Sequence, residues 1–131
     1  MRPGARELRD SLGLRPMTQW QAELLSLAIE APAALLVAAL GFRLRGARAL
    51  VMVTLAAVAG TALTHPVVWN GVLALAPRIG WVAAVAALEV FAVAGETVVY
   101  RLATALSWRR AALVSLVPNA ASFGVGLVLV A

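Results

Sequence analysis

Glu89 and Glu96 lie seven residues apart in an otherwise apolar stretch, residues 80–101, GWVAAVAALEVFAVAGETVVYR. At about 3.6 residues per turn, that spacing puts both carboxyl groups on one helix face. A third carboxylate, Glu30, stands in an earlier apolar run, with Glu23 and Ser26 on its face and Pro32 just beyond. A charge at the centre of a bilayer costs about 3 kcal/mol or more. Two carboxylates at one level in hydrocarbon therefore do not both stay ionised without a cation. The chemistry this allows is that of a proton carrier, a cation site, or a general acid or base. Asn119, Ser122 and His65 are the polar side chains best suited to assist it. The Asn119 amide is too costly to turn toward lipid and is assigned to a bundle interior. The competing reading is structural. A protonated Glu30 or Glu89, bonded to Asn119, Ser122 or a carbonyl freed by Pro32, would then act only as glue between helices.

The elements that must hold these groups follow from composition. Of 131 residues, 63% are hydrophobic and only 13% charged. The mean hydropathy is +0.92. Soluble domains run at about 45–50% apolar and about 25% charged. The expected fold is an all-α integral membrane protein, a four-helix antiparallel bundle with short loops. Its spans are read at about 22–42, 49–68, 80–100 and 111–131, each near the roughly 20 residues that cross a bilayer. Residues 1–21 form a basic polar arm, with a short interfacial helix around 5–12 and Trp20 at headgroup level. The basic region is long, and the apolar run after it exceeds a signal peptide's core, so a cleavable leader is not expected. Ala56, Gly60 and Thr64 recur every four residues, a stripe that lets helices approach closely. Residues 69–79 are read as a mildly apolar connection.

All 11 basic residues are arginine, and the net charge is +5. They cluster at the ends of apolar runs, where anionic headgroups explain them better than nucleic acid does. Arg43, Arg45 and Arg48 mark the first loop, and Arg101, Arg109 and Arg110 the third. The positive-inside rule puts both loops in the cytoplasm, with both termini outside, although the arginines of the arm argue the other way. A bacterial cytoplasmic (inner) membrane is the expected location.

Rise per residue converts position into depth. From the basic-loop side, Glu30, Glu89 and Ser122 fall about 18 Å in, Asn119 about 14 Å, Glu96 about 8 Å and His65 about 26 Å. The layers are Glu23 with His65 at the far end, Glu30 with Glu89 and Ser122 near the midplane, and Glu96 with Ser115 near the basic loops. Glu96 also stands within reach of Arg101 or Arg45 for an ion pair. Ser115 and His65 are about 20 Å apart in depth, which removes a serine nucleophile with a histidine base. No cysteine is present, which removes thiolate chemistry. No HExxH, paired-histidine, DxD or adjacent-glutamate motif occurs. A proton or a hard or borderline divalent cation is the expected occupant, and the sequence indicates no other cofactor.

The function these residues point to is a small transporter or channel-like subunit that handles protons or another cation. Glu30 and Glu89 would exchange, Asn119 and Ser122 assist, and His65 and Glu96 stand at the two mouths. The expected partners are membrane lipid and, because so small a chain encloses little space, further copies of itself or another membrane subunit. Two alternatives stay open. One is a membrane-embedded enzyme acting on a lipid-linked substrate, with Glu89 or Glu30 as general base. The other is a non-catalytic scaffold subunit of a membrane complex.

Overall fold

The computed structural model describes residues 17–130, so the basic arm and its expected helix at 5–12 lie outside the described residues. The described residues form four long helices: α1 (Gln19–Leu36), α2 (Ala47–Ile79), α3 (Trp81–Ala103) and α4 (Trp108–Val130). A π-helical segment, Val37–Gly41, extends α1. With that segment α1 is long and apolar enough to cross a membrane, and so are α2 and α3. α4 equals α3 in length, at 23 residues.

Local chemistry sets the boundaries. In TQWQ at 18–21, the Gln21 amide donates to Thr18 Oγ1 at 3.3 Å and the Thr18 amide donates to Gln21 Oε1 at 2.9 Å. This reciprocal cap satisfies two donors that the first turn leaves free. Between α3 and α4, Thr104 Oγ1 donates to the Tyr100 carbonyl at 2.5 Å and accepts from the Leu106 amide at 3.2 Å, turning the chain out of one helix. α2 is longer than the expected span, because residues 69–79 continue it as helix through Pro66 and Pro77. Its 33 residues measure about 50 Å against a hydrocarbon core of about 30 Å.

Gly80 alone joins α2 to α3, at φ +87° and ψ 154°. That region is open almost only to glycine. A Cβ there would meet no atom within 4 Å, so Gly80→Ala adds backbone strain without a clash. The expected cost is about 1–3 kcal/mol, read as a lower melting temperature in detergent with helix content unchanged. An unchanged melting temperature would contradict the strain.

Helices adjacent in sequence pack together, and α1 with α4 closes the ring. Side-chain contacts run in opposite directions along each pair. Gly60 meets Glu96 while Gly71 meets Leu88. Glu30 meets Ser122, while Phe42 at the end of α1 lies under Arg110 near the start of α4. At the arginine-loop end the interior is apolar and built largely of alanine, with Ala34, Ala38, Val53, Ala57, Tyr100 and Val114 all nearly or fully buried. Small side chains let the helices close tightly there. Arg101 lies over the Trp108 ring at 5.7 Å and Arg110 over Phe42 at 5.4 Å.

The distribution of polarity is inverted relative to a soluble protein. Leu40, Val82 and Leu102 are 74%, 80% and 79% exposed, while Glu30, Glu96, Asn119 and Ser115 are buried. An apolar exterior around a polar interior is what lipid as solvent demands. The chain is an all-helical, lipid-embedded protein.

Candidate functional site

Glu30 and Glu96 are 5% and 4% exposed, and each ties three helices together. Glu30, on α1, accepts from Thr61 Oγ1 of α2 at 2.6 Å and from Ser122 Oγ of α4 at 2.5 Å, one bond on each carboxyl oxygen. Glu96, on α3, accepts on Oε1 from Thr64 Oγ1 of α2 at 3.2 Å. On Oε2 it accepts from Asn119 Nδ2 at 2.5 Å and Ser115 Oγ at 3.1 Å, both from α4. All five donors are uncharged. The expected ion pair between Glu96 and Arg101 or Arg45 is replaced by these hydroxyls and one amide. The Arg101 head lies on Trp108 instead.

The backbone makes room for this network. A Cβ on Gly60 would stand 3.0 Å from Glu96 Cγ, and one on Gly95 would stand 3.2 Å from Thr64 Cγ2. The two glycines let α2 and α3 close on each other at the level where Glu96 reaches Thr64. Ala56, Gly60 and Thr64 are all buried, so the small-residue stripe of α2 faces its neighbours rather than lipid. The donors are positioned in turn. Thr64 Oγ1 also contacts the Gly60 carbonyl at 3.0 Å, and Asn119 Nδ2 contacts the Ser115 carbonyl at 2.9 Å.

Beside this polar floor lies a cavity of about 260 Å³, touched by all four helices. Glu30, Glu89, Glu96, Asn119, Ser122 and His65 all line it. The structure thus brings the six candidate side chains to one space, though not on equal terms. Glu89 is half-buried and, among the described residues, takes no hydrogen bond, yet it stands within electrostatic reach of Glu30. His65 stacks on Trp69, with ring centroids 6.5 Å apart, and its Nδ1 is buried without a partner among the described residues. Glu23 is buried near His65, and its Oε2 likewise has no partner among the described residues.

From its floor the cavity runs away from the arginine loops, toward Ala22 at the start of α1, Trp81 at the start of α3 and Gly126 late in α4. The alanine-rich core closes the opposite end. A second, apolar space of about 280 Å³ lies on the α3–α4 side and shares Glu89, Asn119 and Phe123 with the first.

Two contributors escape the search for candidate residues. Thr61 and Thr64 hold the carboxyl groups from α2, but a hydroxyl within a helix usually bonds its own backbone and gives no sign of a distant partner. Thr64 Oγ1 lies within reach of both, the Gly60 carbonyl of its own helix at 3.0 Å and Glu96 at 3.2 Å. Chemically, the arrangement offers two buried carboxyl groups without a cationic partner among the described residues, at the base of a space that a ligand can enter. No family model matches the chain, and neither does any curated protein or solved structure.

Proposed function

We propose that this chain is a small transporter or channel-like subunit that moves protons or another cation across a membrane, with Glu30, Glu89 and Glu96 as the groups that release and take up positive charge. One observation carries the reading: Glu30 and Glu96 are buried, bonded among the described residues only by neutral donors, and line a cavity extending to one end of the bundle. A buried carboxylate is costly until a proton or cation neutralises it, and here the route for either is the cavity. In this proposal all four helices cross the membrane and the arginine loops lie in the cytoplasm, so the cavity faces outside. The bundle works as an oligomer or with another membrane subunit in a bacterial inner membrane.

A second reading is favoured by the same bonds. Because each carboxyl group joins three helices, the network could serve only to fix helix register in a larger assembly. Glu89 separates the two readings, since it lines the cavity but holds no helix in place. Glu89→Gln is expected to slow dissipation of an imposed pH gradient in proteoliposomes at least roughly tenfold, about 1.4 kcal/mol, with the melting temperature unchanged. Proteoliposomes no more permeable than protein-free vesicles, or a Glu89→Gln rate equal to the unaltered chain's, would leave only the structural role.

A further inference from the structure

From the walls of the cavity we infer that the cation it accepts is organic and amphipathic: a protonated amine carrying an aromatic or branched apolar body. This rests on the reading of the cavity as the site that handles positive charge, and it adds the class of substrate. An inorganic ion fits poorly. Mg²⁺ or Ca²⁺ needs about six or more oxygen ligands, and among the described residues no three His, Asp or Glu side chains converge to hold a metal. The carboxyl oxygens of Glu30 and Glu96 are already engaged by hydroxyls and an amide, and much of the remaining wall is apolar. An ion stripped of water there would find little to replace its hydration shell.

A protonated amine asks for what the wall supplies. Among the described residues no arginine lines the cavity, while three glutamates do. Trp69, Trp81 and Phe123 line it as well, and aromatic faces attract ammonium groups while packing against apolar bodies. The His65 ring, stacked on Trp69, lines the same space. The volume, about 260 Å³, lies just under the usual range for small-molecule sites, about 300–1,000 Å³. It suits a single ring with a short charged arm.

Among the described residues the groups that face such a ligand are Glu30 from α1, His65 from α2, and Glu89 and Glu96 from α3, with Glu23 of α1 beside His65, while α4 contributes Asn119, Ser122 and Phe123 but no charge. Protonating the carboxyl groups removes the attraction, so amine binding should weaken as pH falls and release protons as it occurs.

The test is calorimetric titration of the purified full chain with 2-phenylethylammonium, beside neutral 2-phenylethanol and anionic phenylacetate, which match it in size. The inference expects the ammonium compound to bind at least roughly tenfold more tightly than either control, about 1.4 kcal/mol. It also expects that preference to be lost in Glu30→Gln and reduced in Trp81→Ala. Glu89→Gln, which disturbs no hydrogen bond among the described residues, repeats the charge test should the Glu30 variant fail to fold. Equal binding of phenylethanol, or an unchanged preference in the folded charge variants, overturns the inference. Glu30-dependent proton flux without any amine binding overturns it too and leaves the transport proposal standing. Amine binding with the expected preference but no flux upholds the site and removes the transport proposal.

Discussion

Glu30→Gln is expected to cut proton-coupled flux at least roughly 100-fold, about 2.7 kcal/mol in barrier height, while the bundle keeps its melting temperature to within a few degrees. The contrast follows from the partners. Glu30 accepts from two hydroxyls, Thr61 Oγ1 and Ser122 Oγ. A hydroxyl can donate or accept, so a glutamine of the same shape donates to one and accepts from the other. Both bonds survive and no polar atom is left unpaired. The side chain can no longer give up or take up a proton. Flux measured in proteoliposomes together with melting in detergent checks both halves. Equal losses of flux and stability would make Glu30 a structural tie. Loss of neither would remove it from the pathway.

Much of this arrangement is legible in the residues, for reasons that particular positions make plain. Helical periodicity places Glu89 and Glu96 on one face, and both do line the cavity. Depth along the helix matches Ser122 with Glu30 and Ser115 with Glu96, and both pairs are hydrogen-bonded. Such ranking works because lipid fixes helix length and rise fixes level. It does not fix rotation finely enough to say which carboxyl group of α3 reaches deepest among the helices. That depends on the opposite wall, where Gly60 makes space for Glu96. Asn119 consequently serves Glu96 rather than the midplane pair.

The length of α2 is hidden for another reason. Pro66 suggests an end to the span, yet proline removes only one backbone bond. Only the Ala62 carbonyl loses its donor within the helix, and the helix continues to Ile79. Transmembrane helices tolerate proline where neighbours resatisfy freed groups. Positive φ at Gly80, rather than the proline, marks the reversal.

Removing the second carboxyl group is expected to harm the fold more than the first exchange does, and Gly60 reveals why. Glu96→Ala takes an acceptor from Asn119 Nδ2, which can only donate, and from Ser115 and Thr64. A buried polar group left unpaired costs about 1–3 kcal/mol, although residual partners in membrane proteins reduce such penalties, with measured interhelical bonds averaging about 0.6 kcal/mol. The Ser115 and Thr64 hydroxyls and the Asn119 amide all keep backbone acceptors, so the net loss is that of three interhelical bonds, about 2 kcal/mol. Glu96→Gln can direct its carbonyl at Asn119 and its amide at Thr64, so it should recover most of that loss. Gly60→Ala strikes the same side chain from across the helix pair, since its Cβ would lie 3.0 Å from Glu96 Cγ but 3.5 Å from Glu96 Cβ. Alone it should destabilise by about 1–2 kcal/mol, in the range for overpacking. With Glu96→Ala already in place the clash is gone, because alanine retains only the more distant atom, and the better helix former should become neutral or stabilising. A double-mutant cycle read by reversible unfolding in detergent should therefore give a coupling of about 1–2 kcal/mol. Additive losses would mean that Gly60 does not shape the pocket for Glu96, and the close crossing of α2 and α3 would then need another cause.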